Sequence, residues 1–191
     1  MFQAEYGHVS GPKPRLSCRE KEAMLLKQWD MHLPESMEPA ALCRFIEKDC
    51  QHGITHSCKK IQAFFLNQST ENISLETSVL VQLLFSKLQD EVKHVFLKEK
   101  GIVFPLIKKA REGFALDEKI RESIYSAQKL MVNLLLKLRQ LLDNYLLKPG
   151  SGKEWRSCVN ELFLLENKIH QWIYIEQNLL YPAIIKSNSC Q

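Results

Sequence analysis

The chain has 191 residues, enough for one compact domain with a sizeable core and no covalent staples. Its hydrophobic fraction of 45% and charged fraction of 25% are ordinary for a globular protein, and the net charge of +4 is too scattered to argue for nucleic acid. No apolar stretch approaches membrane-spanning length and no basic-apolar-small leader opens the sequence, so a cytoplasmic protein without membrane association is expected.

Residues 1–20 contain Gly, Pro and Ser without sustained periodicity and read as a flexible N-terminal arm. The remainder, 21–191, reads as a single domain. Its opening stretch REKEAMLLKQWDMHLPES predicts a short extra helix ending near Pro34. Helical periodicity then runs through segments at about 39–67, 75–111, 117–147 and 152–186. The links carry breakers: NQSTENIS after the first, Gly113 after the second and KPGSGK after the third. Neither period-2 alternation nor an Asn-Gly or Asp-Gly hairpin signal occurs, which argues against a sheet. Short links between long amphipathic helices favour antiparallel neighbours, so the expected fold is all-α, an up-down-up-down four-helix bundle.

The six cysteines, Cys18, Cys43, Cys50, Cys58, Cys158 and Cys190, form no C-x-x-C pair, and in a cytoplasmic chain they stay reduced. Asn67 and Asn72 match the glycosylation acceptor pattern, which has no meaning without secretion. A secreted helical cytokine is disfavoured by the same features. No Gly-x-Ser-x-Gly, phosphate-cradling loop or His-Glu-x-x-His is present, and no other catalytic constellation emerges.

Which residues face inward decides the chemistry. In the second helix Val81, Leu84, Leu88, Val92, Val95, Ile102 and Leu106 form one stripe, with Glu99 inside it and His94 outside. In the fourth, Trp155, Leu162, Ile169, Ile173 and Leu180 form the stripe; Glu176 lies within it and His170 at its margin. Side chains four apart on a helix differ by about 40° around the axis and five apart by about 140°, so His94 misses the face of Glu99. A buried carboxylate is penalised unless it is paired, metal-bound or protonated. Snorkelling or pairing with a nearby Lys is the alternative for either glutamate.

LKEKGIVFPLI (97–107) and IYIEQNLLYPAI (173–184) resemble the two halves of the hemerythrin-like fold, and more closely those of the proteins that repair iron-sulfur centres under nitrosative and oxidative stress. The resemblance covers about residues 25–186 and implies iron-oxygen chemistry or iron delivery at a non-haem di-iron site built from His-x-x-x-Glu pairs plus histidines of the other two helices. It puts Glu99 and Glu176 on the bridging carboxylates as metal residues. Where the paired histidines belong, the chain has Val95 and Trp172; the third-helix position is Gln128, and Cys50 points inward at the ligand level of the first helix. His94 and His170 miss by one and two positions, and a π-turn between His94 and Glu99 would restore the phase. Longer family members carry an N-terminal cysteine-pair domain, of which only Cys18 is present here.

Two readings follow. In one, the iron centre is degenerate, the role has shifted to binding or regulation, and the glutamates are protonated and bonded to Gln128, to each other or to a Lys. In the other, the chain is a working non-haem iron protein with Cys50, a rephased His94 or His170 as extra ligands. His52 and His56, an i, i+4 pair opposite the apolar stripe of the first helix, read as solvated residues or an independent surface metal site. Cys50 likewise reads as a small hydrophobe, a ligand or a reactive thiol. A protein partner and the oligomeric state stay open.

Overall fold

A computed structural model describes residues 37–67, 75–109, 116–147 and 149–186, all within the unit Glu35–Gln191. The expected N-terminal arm and extra helix lie outside the described residues. Among the described residues the regular structure is entirely helical. Helix α1 runs through Pro39–Phe45, a π-helical turn Ile46–Gln51 and His52–Leu66. Helix α2 comprises Leu75–Lys98, a π-turn Glu99–Val103 and Phe104–Lys109. Helix α3 is Glu118–Leu141, and α4 comprises Lys153–Ile175, a π-turn Glu176–Leu180 and Tyr181–Lys186. No described helix is long and apolar enough to cross a membrane.

Local chemistry sets these ends. Pro39 occupies the first turn of α1, where its missing N–H costs nothing. Asp117 caps α3, its Oδ1 accepting from the backbone N–H groups of Lys119 (2.7 Å) and Ile120 (3.4 Å). The expected third helix, to about residue 147, stops at Leu141 instead. Asp143, Asn144 and Tyr145 all take positive φ (48°, 57° and 61°), a left-handed turn that costs about 1–2 kcal/mol per residue. Tyr145 is held by an edge-on contact with the Phe163 ring, centroids 5.7 Å apart.

The π-turns of α2 and α4 have a common cause. Pro105 and Pro182 each lack an N–H and crowd the carbonyl four residues back, and the wider turn just upstream relieves that clash. Here Phe104 N–H bonds Glu99 O and Tyr181 N–H bonds Glu176 O, five residues apart. The extra residue resets the buried face. Ile102 and Leu106, expected in the core, are exposed, and Val103, Phe104 and Ile107 are buried in their place.

Helix α2 packs most extensively on α3, and α1 on α4. Across α1 and α4, Lys168 Nζ donates to Ser57 Oγ at 2.6 Å, and Ser57 Oγ donates to Glu161 Oε1 at 2.7 Å. Gln89 Nε2 donates to Gln62 between α2 and α1, and Arg139 binds Glu166 between α3 and α4. The core between the helices is aliphatic and aromatic, including Ile54, Phe85, Leu88, Met131, Leu162 and Trp172. Each such side chain contributes about 1.5–3 kcal/mol of hydrophobic burial.

Candidate functional site

Glu99 and Glu176 both lie fully inside the protein, at 0% exposure, as the helical phase requires. They are the first residues of the π-turns of α2 and α4. Their carboxyl groups lie within hydrogen-bond reach of each other. Each is held from outside by one glutamine. Gln51 Nε2 of α1 donates to Glu99 Oε2 and Gln128 Nε2 of α3 donates to Glu176 Oε2, both at 2.6 Å. Gln177 Nε2 then donates to Gln128 Oε1 at 2.8 Å, extending the chain of bonds toward the surface. The buried order is amide, carboxyl, carboxyl, amide.

The remaining oxygens, Oε1 of Glu99 and of Glu176, are buried without a hydrogen-bonding N–H or O–H. Two carboxylates in contact in a dry interior cannot both stay ionised, so a proton shared between them satisfies both. Burial is the main force raising Glu99, followed by the charge and hydrogen bond of Glu176, and its carboxyl is held well above the ordinary 4.5. Burial also pushes Glu176 up, to about 7, against the opposing hydrogen bonds of Glu99, Trp172 and Gln128. Both carboxyls are therefore raised, and the pair holds its proton jointly. The Trp172 indole N–H faces Glu176 closely enough to favour its charge without making a well-formed hydrogen bond.

A third buried glutamate makes the contrast. Glu166 of α4 receives Arg139 Nε at 3.1 Å and Nη2 at 2.8 Å on the same oxygen, with His170 Nε2 at 3.5 Å. Burial raises its pKa, but hydrogen bonds from His170, Tyr145 and Arg139 and the guanidinium charge outweigh it and hold Glu166 below 4.5. Glu166 is bonded by a cation, whereas the Glu99–Glu176 pair is bonded by neutral amides, with the charge of Lys100 the smallest of the influences on Glu99.

At the four positions where the resemblance expects ligands, the side chains are packed or hydrogen-bonded within the protein. Val95 and Trp172 are buried, and Trp172 meets Phe96 edge-on with ring centroids 4.9 Å apart. At the first-helix level the residue that reaches Glu99 is Gln51 rather than Cys50. Cys50 is buried nearby, and desolvation, with the charges of Glu176, Asp49 and Glu99, pushes its thiol up to about 12. It is a protonated hydrophobe at neutral pH, not a thiolate. His94 is exposed and His170 sits half-exposed beside Glu166; neither is brought to the pair. The π-turn begins at Glu99, downstream of His94, and so does not rephase it. His52 and His56 are exposed.

Donor chemistry decides whether a di-iron centre fits here. Two carboxylates are available, but Gln51 and Gln128 present N–H groups to them, and Val95 and Trp172 bring no ligand atom. Among the described residues no group of three or more His, Cys, Asp or Glu side chains is arranged to hold a metal. The set does not fit a histidine-rich iron centre.

Sequence reasoning missed Gln51 and Glu166. The signal for Gln51 was present: both Gln–Glu pairs are separated by 48 residues. One constant offset in the numbering takes Gln51 to Gln128 and Glu99 to Glu176, and it also takes Val95 to Trp172, Phe104 to Tyr181 and Pro105 to Pro182. The buried residues Phe85, Leu88 and Val92 map by that offset onto the buried Leu162, Leu165 and Ile169. The domain is a repeated helix pair whose two copies each supply one glutamine and one glutamate to a shared centre. Compared with models of known protein families and with curated protein sequences, the chain matches none.

Proposed function

We propose that the chain is a divergent hemerythrin-like four-helix bundle, akin to the iron-sulfur cluster repair proteins, whose metal centre has been converted into a hydrogen-bonded carboxyl pair and whose role is binding or regulation. The paired residues between α1 and α2, α1 and α4, and α3 and α4 descend on one helix as they ascend on the other, which supports an up-down-up-down arrangement. One observation carries the functional reading: Glu99 and Glu176 face each other in the interior and each is held by the N–H of a glutamine, Gln51 and Gln128, an arrangement that a proton shared between the carboxyls completes. An ion entering there must displace that proton and turn both amides around. Val95 and Trp172 fill the volume that coordinating side chains need.

The test is metal uptake. Protein purified anaerobically with iron supplied is expected to hold far less than one iron per chain, and its melting temperature should not move on adding Fe(II), since a ligand that binds the native state stabilises it. Retention of about two iron atoms per chain, with an oxo-bridge absorption band after exposure to air, overturns the proposal.

A further inference from the structure

The two copies of the repeat differ at one place on the surface. In the first copy the gap between the start of α1 and the end of α2 is closed by the Lys108–Glu47 ion pair at 2.7 Å, with Lys108 Nζ 5.9 Å from the centre of the Phe104 ring. In the second copy the start of α3 and the end of α4 instead border an open pocket of about 390 Å³. The rings of Tyr125 and Tyr181 and Pro182 give it largely apolar walls, the Tyr181 hydroxyl being buried without a hydrogen-bond partner, and Gln128 and Gln177 give it an amide floor. Tyr181 and Pro182 are the repeat equivalents of Phe104 and Pro105. The volume suits a single-ring molecule, and an apolar lining with a few convergent polar groups is the usual character of a ligand site.

The hydrogen bonds restrict what such a molecule must carry. Gln177 commits one of its two N–H groups to Gln128 Oε1, and Gln128 commits one to Glu176 Oε2, while the amide oxygen of Gln177 takes no part in that chain of bonds. A ligand that donates a hydrogen bond can meet that oxygen. At the rim Arg121 is drawn to Glu118, with Nη2 3.4 Å from Oε1, and Glu122 lies beside it, so the rim offers no surplus positive charge to an anion. A donor on the Gln177 oxygen also polarises the amide behind it, which strengthens the bonds of Gln177 to Gln128 and of Gln128 to Glu176.

We propose that this pocket binds a small, uncharged, planar aromatic molecule bearing a hydroxyl or N–H donor, which Gln177 receives and Gln128 transmits to Glu176. The site rests on the binding reading above in that it supplies the class of ligand. It adds a route by which an occupant of the surface is felt at the buried pair.

Phenol is the probe and benzene the control that lacks a donor. Titrating phenol into the ¹⁵N-labelled full chain should shift the side-chain NH₂ signals of Gln177 and Gln128 saturably, with a Kd of about 1 mM for so small a ligand, and should shift Gln51 less. Benzene should bind about threefold more weakly or worse, for want of one hydrogen bond. Gln177→Leu should abolish the preference for phenol, and Tyr125→Ala, at an exposed position, should weaken both probes; melting curves of the free variants report that they are folded. Equal binding of phenol and benzene, no saturable shift at about 10 mM phenol, or shifts at Gln51 matching those at Gln128 overturn the proposal. Iron uptake with phenol still bound at this pocket overturns only the degenerate-centre reading, and failure of both probes in an iron-free protein overturns only the pocket.

Discussion

The two copies of the helix pair solve one problem with different side chains. Each aims a glutamate at the middle of the protein and supports it with a glutamine at the same distance, 2.6 Å. The first copy closes its surroundings with Val95, Phe104 and a surface ion pair; the second uses Trp172 and Tyr181, extends its glutamine to Gln177 and leaves a pocket beside it. A repeated backbone fixes where the polar atoms must go, and the side chains around it decide which copy is sealed and which communicates with the surface.

The largest expected effect tests the packing half of that contrast. Trp172→Ala should cost about 3–5 kcal/mol of unfolding free energy in a denaturant titration, against about 1–2 kcal/mol for Val95→Ala at the equivalent position. Equal losses would mean that the two copies carry the core alike. Next come the glutamines. Gln128→Leu strands both Glu176 Oε2 and the Gln177 N–H and should cost about 2–3 kcal/mol, whereas Gln51→Leu strands one carboxyl oxygen and should cost about 1–2 kcal/mol. The reverse order, measured the same way, would place the centre of the network in the first copy.

Protonation gives a third test. Glu176 is raised from 4.5 to about 7 and Glu99 is raised too, so the folded state holds protons that the unfolded chain releases. The stability they contribute is fully present below pH 4.5; the share of Glu176 is lost as pH rises through about 7, and that of Glu99 is lost in the same alkaline direction. Glu166 acts in the opposite sense, since its lowered value contributes stability above 4.5 that is lost as pH falls. The double variant Glu99→Gln with Glu176→Gln should flatten the alkaline limb of a stability–pH profile and be neutral or more stable by about 2 kcal/mol at pH 8. Clear destabilisation there would show that the charge on the pair has a partner of its own. The smallest effect belongs to the ion pair that closes the first copy: Lys108→Met should change stability by about 0.5 kcal/mol or less, because both side chains are about a third exposed. A larger loss in thermal melts would make that closure structural.

Much of this was legible in the sequence. The helical segments and the inward facing of Glu99 and Glu176 follow from a local period, which needs no knowledge of neighbours. The failures come where the period breaks or a partner arrives from elsewhere. The π-turns before Pro105 and Pro182 add a residue, so a constant-period count puts Ile102 and Leu106 inside when Val103 and Ile107 are buried. Another π-turn, Ile46–Gln51, interrupts α1 where Gln51, and not the expected Cys50, reaches Glu99. Glu166 went unnoticed because the arginine that explains it lies on α3, 27 residues away in the chain.

The sequence by itself determined that long amphipathic helices form and that two carboxyl groups must be taken out of water, since spacing along a helix is a property of the chain. Only the tertiary structure decided what those carboxyls meet. Glu99 meets Glu176, each meets a glutamine, Glu166 meets an arginine, and the histidines stay outside. The energy of a buried charge depends on the groups within a few ångströms of it, and those groups come from different helices.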